Sequence, residues 1–240
     1  MIALLAFLVL MSTVASASPF ANNGSEHVIL LHGLCRTTTS MTKMAKALEA
    51  DRYTVHNLAY PSRQQTIQEL SEAYLKPVLE ACTGKQATKV HFVTHSMGGI
   101  LVRDFLARHP KHGAPLGKLV MLAPPNDGSE VAERLRHWRL YQWLNGPAGQ
   151  QLGISEDSLP CQLGPVTIPT GVIAGDRSIN WINSLTMIKG TDDGKVSVSS
   201  SKVSGMADHL VVHVTHPMIM RNKAVIRQTI HFLREGNFAR

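Results

Sequence analysis

Short apolar runs alternate with longer stretches whose apolar residues recur every three or four positions, and this alternation organises the chain from residue 27 to residue 235. "HVILLHG" (27–33) reads as a buried strand, and "TTSMTKMAKALEA" (38–50) as a helix with Met41, Met44, Ala45 and Leu48 on one side. "YTVHNLAY" (53–60) is a second strand, stopped by Pro61, and "TIQELSEAYLKPVLEAC" (66–82) is a helix with Pro77 in its path, so kinked or divided there. "KVHFVTHS" (89–96) is the third strand, and "MGGILVRDFLARH" (97–109) is a helix ending before Pro110. "GKLVMLAPP" (117–125), "PTGVIAGD" (169–176) and "HLVVHVT" (209–215) are three further strands, and "PMIMRNKAVIRQTIHFLRE" (217–235) is a closing amphipathic helix. Such an order predicts βαβ units: an α/β fold with a mostly parallel sheet and helices on both faces. The C-terminal ends of its strands share one edge, where the ligand and catalytic groups of such sheets gather.

One stretch breaks the regular alternation. Residues 126–165 carry no strand signal, and within them "EVAERLRHWRLYQWL" (130–144) looks helical, with Val131, Leu135, Trp138 and Trp143 as apolar anchors and Arg134, Arg136 and Arg139 as a basic complement. It is either a small lid or cap beside the active edge or a crossover helix packed on the sheet. No repeat, low-complexity tract or linker divides the chain, so residues 18–240 are expected to form one domain.

The first residues belong to another category. Ile2 to Met11 form an apolar block, too short to cross a bilayer, and Ala15-Ser16-Ala17 fits a cleavage site, so residues 1–17 read as a signal peptide although no Lys or Arg precedes the block. A secreted or periplasmic protein is expected. Cys35, Cys82 and Cys161 suit an oxidising compartment, where one pair could bridge and one would stay free; the sequence does not show which. With no C-x-x-C pair, cysteine-based zinc and redox motifs have no support, and nothing in the sequence calls for a cofactor or metal. Composition supports a globular core, with 44% hydrophobic and 17% charged residues. The net charge of +7 reads as a solvated basic surface, since no aromatic-interleaved basic run points to nucleic acid.

Candidate chemistry centres on Ser96. It stands where the third strand turns into a helix, with Gly98 and Gly99 leaving room for the two elements to approach. Such a turn lifts the hydroxyl above the sheet edge and sets the Met97 N–H at a helix N-terminus, where negative charge is favoured. "THSMGG" resembles the nucleophile elbow of α/β-hydrolases, and "VILLHGLC" resembles the oxyanion strand of bacterial secreted lipases and esterases. "PTGVIAGD", "TDDGKVSV" and "HVTHPMIM" extend the resemblance over nearly all of the mature chain. One position departs from the pattern: Thr94 occupies the place of the first glycine of G-x-S-x-G.

The resemblance implies an α/β-hydrolase fold and a triad in the order serine, acid, histidine. Ser96 is then the nucleophile, and His216, in the loop before the closing helix, is the base in preference to His213 or His209. Asp193, before Gly194 and 23 residues ahead of His216, is favoured as the acid over Asp176 and Asp192. The backbone N–H groups of Leu34 and Met97 would form the oxyanion hole. Asn126, Asp127 and Ser129 either touch substrate or make an ordinary turn with a helix cap.

The expected activity is hydrolysis of carboxylic esters, lipid or acyl esters first, with peripheral contact to a lipid surface as a further expectation. An acyltransferase or thioesterase would use the same residues. Two other classes stay open: a non-catalytic α/β-hydrolase-like binding protein, and a metallohydrolase built on His209, His213 and His216.

Overall fold

The computed structural model describes residues 25–84, 87–178, 188 and 190–240. The signal-peptide reading of residues 1–17 lies outside the described residues. Strands β1 (Glu26–Leu31), β2 (Thr54–Leu58), β3 (Lys89–His95), β4 (Leu116–Leu122), β5 (Thr170–Gly175) and β6 (Asp208–Val212) form one sheet in the order β2-β1-β3-β4-β5-β6. Every neighbouring pair is parallel. The chain runs outward from β1 to β2, then returns past β1 to β3, and this reversal makes the carboxyl ends of β1 and β3 neighbours at the place where such sheets bind ligands.

Helices α1 (Thr42–Ala50), α2 (Ile67–Leu70), α3 (Lys76–Gly84), α4 (Met97–Arg108), α5 (Glu130–Leu135), α6 (Arg139–Gln150), α7 (Leu159–Gln162) and α8 (Lys223–Glu235) surround the sheet. Successive strand residues face opposite ways, so each strand feeds two cores. Ile29, Leu31, Phe92 and Met121 pack with Leu70, Leu79, Ile100 and Phe105 on one face. Val28, Leu30, Val93 and Val120 pack with Met44, Leu48, Val225 and Phe232 on the other. Each fully buried side chain of this size contributes about 1.5–3 kcal/mol. The sheet with helices on both faces is the α/β-hydrolase fold expected from the sequence.

Several boundaries differ from the sequence reading. The stretch around Pro77 is divided: a π-turn (Ser71–Leu75) joins α2 to α3, and the Lys76 N–H bonds back to the Ser71 carbonyl. Widening the turn just ahead of Pro77 accommodates a ring that would otherwise crowd the preceding turn. Residues 130–144 are not one helix. α5 ends at Leu135, α6 starts at Arg139, and α6 bends again at Gly146 (φ 64°), which precedes Pro147. A Cβ at Gly146 would lie 1.7 Å from the Arg63 carbonyl oxygen, so only glycine fits that bend. The closing helix begins at Lys223 rather than 217, because the Asn222 side chain accepts from Ala224 and Val225 N–H and caps it there.

The three cysteines form no disulfide with one another: Cys35 lies exposed on a loop, Cys161 is exposed on α7, and Cys82 is buried on α3. No helix among the described residues is long and apolar enough to cross a membrane.

His91 shows how tightly the amino end of the sheet is packed. Its Nδ1 accepts the Lys118 N–H at 3.0 Å, its Nε2 lies 3.4 Å from Glu26, and a Cβ at Gly117 would strike the ring. Burial pushes its pKa down to about 4, against the pull of Glu26. The unfolded chain, with histidine near its ordinary 6.5, therefore binds more protons than the folded one between pH 6.5 and 4, and stability falls as pH drops through that window. We expect acidification over this range to remove on the order of 3 kcal/mol through His91, read as a falling thermal midpoint that His91→Gln flattens. A midpoint independent of pH there would show that His91 takes its proton freely in the fold.

Candidate active site

Ser96 sits between β3 and α4 at φ 52°, ψ −123°, a conformation that costs a non-glycine residue on the order of 1–3 kcal/mol. Two surrounding glycines make the turn sterically feasible. A Cβ at Gly98 would lie 2.7 Å from the Leu31 carbonyl and 2.9 Å from that of His32, so α4 can cross the end of β1 only with hydrogen at this position. A Cβ at Gly99 would meet Met121 Sδ at 2.9 Å and Thr94 Oγ1 at 3.2 Å. Gly99 thus clears the space for Thr94, the residue that departs from the elbow pattern. Among the described residues, the Ser96 hydroxyl has no hydrogen-bond partner, and it does not cap α4. Met97 begins α4, so its N–H is one of the unpaired donors of a helix N-terminus; its side chain is fully buried in the core rather than lining a pocket.

The His32-Gly33 loop closes over this turn. A Cβ at Gly33 would sit 3.1 Å from Ser96 Cβ and 2.8 Å from His95 Nδ1, which brings the backbone leading into Leu34 against the serine. The Arg36 N–H returns to the Gly33 carbonyl at 3.2 Å, Cys35 adopts φ 57°, and its N–H is held by Ser62 Oγ at 3.1 Å. Tyr60, which the sequence did not single out, braces the loop from the segment just after β2. Its ring stacks on His32 at 4.0 Å between centroids, and its hydroxyl donates to the His32 carbonyl. Burial pushes the Tyr60 phenol well above its ordinary range and lowers the His32 pKa, so both stay uncharged near neutrality.

Asp193 and His216 are brought into direct contact. His216 Nδ1 lies 2.7 Å from Asp193 Oδ2, with both side chains buried. The second carboxylate oxygen accepts the N–H groups of Lys195 (3.0 Å) and Val196 (2.9 Å), and the Asp193 carbonyl accepts the His216 N–H at 3.0 Å. A carboxylate so fixed holds the imidazole with Nε2 as its remaining nitrogen. Gly175, at the end of β5, lets this loop approach: a Cβ there would lie 2.9 Å from that of Asp193.

The other candidates separate. Asp176 pairs at the surface with His213 at 2.9 Å, Asp192 accepts the Gly194 N–H at 2.6 Å and shapes the turn, and His209 contacts Ser201 at 3.1 Å. With His216 on Asp193, the three histidines of 209–216 do not converge. Ser129 caps α5 and donates to the Lys195 carbonyl, while Asn126 joins Arg103 to Ser201; both do the work of a turn. A cavity of about 600 Å³ lies beside Arg103 and Asn126, and none of Ser96, Asp193 and His216 lines it.

His95 is the residue whose importance the sequence understated. It is fully buried, its Nε2 lies 3.2 Å from the His216 carbonyl, and the two rings lie 4.9 Å apart. Burial first, then the nearby His216, holds its pKa well below the usual range. A neutral imidazole donating to that carbonyl ties the loop of His216 to the residue preceding Ser96.

A family model for palmitoyl protein thioesterase matches residues 27–155, more than half of the chain. The chain belongs to the palmitoyl protein thioesterase family. Among solved structures, phospholipase PlaB from Legionella pneumophila superimposes with a TM-score of 0.69 at 21% identity, over 88% of this chain and 59% of that one. The mature Bacillus licheniformis lipase BlEst2 gives a TM-score of 0.67 at 16% identity, over 88% and 93%. The type II thioesterase BorB of the borrelidin cluster gives 0.55 at 20%, over 91% and 95%. At these identities the likeness is one of fold, and the chain spans about three fifths of the phospholipase's length. No curated protein matches the sequence. The family match covers Ser96 and the His32-Gly33 loop, whereas Asp193 and His216 lie beyond it.

In this family member Gly33→Ala is expected to push the loop off Ser96 and His95. The drop in kcat on acyl substrates should be about 10²-fold, the scale of a lost oxyanion donor, with the protein still folded. A variant turning over at the unsubstituted rate would show that the contact at Gly33 has no part in the chemistry.

Proposed function

We propose that the chain is a serine hydrolase of carboxylic acyl esters, with lipid esters as its main substrates. The observation that carries this reading is the Ser96 turn: a strained backbone presents an unused hydroxyl next in sequence to His95, whose ring lies 4.9 Å from that of His216, a histidine already oriented by a buried carboxylate. Ser96 Oγ attacks the acyl carbonyl while His216 Nε2 takes its proton, and the Leu34 and Met97 N–H groups hold the developing oxyanion. The protonated His216 gives that proton to the departing alcohol, leaving acyl-Ser96. Water, deprotonated by His216, then releases the acid and restores the serine. Asp193 stays ionised throughout and stabilises the imidazolium.

A second reading, in which the acyl donor is a thioester, is favoured by membership in the palmitoyl protein thioesterase family. It changes the leaving group from alcohol to thiol and none of the residues. The test is hydrolysis of p-nitrophenyl acyl esters and acyl-coenzyme A of matched chain lengths by the protein and by Ser96→Ala and Asp193→Asn. We expect Ser96→Ala to lose at least about 10³-fold in kcat and Asp193→Asn about 10³–10⁴-fold. Full activity in Ser96→Ala would overturn the serine mechanism, and a strong preference for acyl-coenzyme A would select the second reading.

The segment after β4 adds support for a lipid substrate. Trp138, Trp143 and Leu140 are 63%, 72% and 63% exposed on α6 and its approach, and Arg134 and Arg139 are exposed beside them. α6 adjoins the oxyanion loop: Cys35 Sγ lies 3.5 Å from the Leu144 carbonyl, and a Cβ at Gly149 would be 3.1 Å from Leu34. We propose that this apolar, basic-flanked face rests on an anionic lipid surface and serves as the lid or cap. The double variant Trp138→Ser/Trp143→Ser should lose sedimentation with anionic phospholipid vesicles while keeping its rate on a soluble short-chain ester. Unchanged sedimentation would remove the face from lipid contact.

A further inference from the structure

His27, His56 and Cys82 converge at the opposite end of the sheet from Ser96. His27 opens β1 and is paired in register with Val90 at the start of β3, roughly 20 Å along the strand from the Ser96 turn. His56 lies on the edge strand β2, opposite Ile29, and therefore on the same sheet face as His27. Cys82 comes from α3, which covers that face. One ligand-capable atom from each of the three residues lies within 4.8 Å of the others. His27 and Cys82 are buried and His56 is partly open, which gives an approach from solvent.

We propose that these three side chains form a binding site for a thiophilic metal ion, Zn²⁺ in the first instance. His27 Nδ1 and His56 Nε2 lie 3.0 Å apart. Two nitrogens on a tetrahedral zinc, each about 2.0–2.1 Å from the metal, are about 3.3 Å apart, so a shift of a few tenths of an ångström converts the hydrogen-bonded pair into a chelating one. A Zn–S bond of about 2.3 Å sets a thiolate about 3.6 Å from those nitrogens, so the Cys82 sulfur, within 4.8 Å of them, closes on the ion by about 1 Å at most.

The surroundings prepare the ligands. Ser25 Oγ lies 2.8 Å from His27 Nε2. With that nitrogen protonated and donating to the serine, the Nδ1 lone pair faces His56, the arrangement by which outer partners orient metal-bound histidines. Binding requires the Cys82 thiol proton to leave for solvent and His56 to carry its hydrogen on Nδ1, so that the ion meets one thiolate and two neutral imidazoles. A fourth position stays open to water. Three residues from β1, β2 and α3 closed by one ion would clip the edge strand to the helix above it, a structural role with no part in acyl transfer.

The test uses the full chain, freed of metal with a chelator and dialysed, then titrated with Zn²⁺ in competition with a chromophoric chelator and separately with Co²⁺. We expect one equivalent to bind, the thermal midpoint to rise, and the Co²⁺ form to show a thiolate-to-metal charge-transfer band. Cys82→Ser should abolish the band, and His56→Gln, at a partly exposed position, should weaken binding about 100-fold or more while leaving ester hydrolysis unchanged. If Cys82→Ser fails to fold, His56→Gln and the Co²⁺ spectrum of the unsubstituted protein still decide. No stoichiometric binding, binding untouched by both variants, or a Co²⁺ spectrum without the thiolate band would each overturn the site.

Discussion

Everything at the catalytic edge depends on one steric constraint, the crossing of α4 over the end of β1 within van der Waals contact of its carbonyls. Gly98 permits it, since a methyl group there would collide with the Leu31 and His32 carbonyl oxygens. Because the helix lies that close, β3 must turn into it abruptly, and Ser96 absorbs the turn at φ 52°. The strain of about 1–3 kcal/mol is offset by the burial of Phe92 and Val93 before the turn and of Ile100 and Leu101 after it, all fully or almost fully buried. A core this rigid cannot relax the serine into an easier conformation without moving a strand or a helix.

The same closeness links the parts of the site that chain order separates. Gly33 rests on both Ser96 and His95, His95 reaches the His216 carbonyl, and the Asp193 carbonyl accepts the His216 N–H. Four loops following β1, β3, β5 and β6 are thereby joined, the first by close steric contact and the others by short hydrogen bonds. A neutral His95 suits this position, since a cation beside His216 would disfavour the imidazolium that the proposed acyl transfer needs.

Much of this was legible in the residues themselves. Strand and helix order followed from apolar periodicity, because every strand but the edge ones is buried on both faces and reads as a continuous apolar run. The preference for Asp193 over Asp176 came from the resemblance to secreted lipases, which place their acid in an Asp-Gly step some twenty residues before the histidine, and the structure puts Asp193, not Asp176, on His216. Tyr60 escaped notice, and His95 was read only as structural, for a shared reason: each acts on a backbone carbonyl far away in sequence, and such contacts leave no local pattern. The breaks in 130–150 were hidden because Arg136 to Trp138 keeps helical composition, while the bend at Gly146 is set by the Arg63 carbonyl on a distant loop.

The His27, His56 and Cys82 cluster marks the limit of reading by spacing. Zinc motifs are recognisable when a single loop or helix supplies two ligands, as in C-x-x-C, because the chelate is then encoded locally. Here each ligand comes from a different element, separated by 29 and 26 residues, and only parallel pairing of β1 with β2 and docking of α3 bring them together. The absence of a cysteine motif therefore excludes a local site and says nothing about an assembled one. The same pairing that buries the cluster fixes its geometry, so its affinity for an ion reports on the docking of α3 and the edge strand, while the Ser96 turn at the other end of the sheet reports on α4. Two ends of one sheet, held by different helices, can thus be perturbed separately.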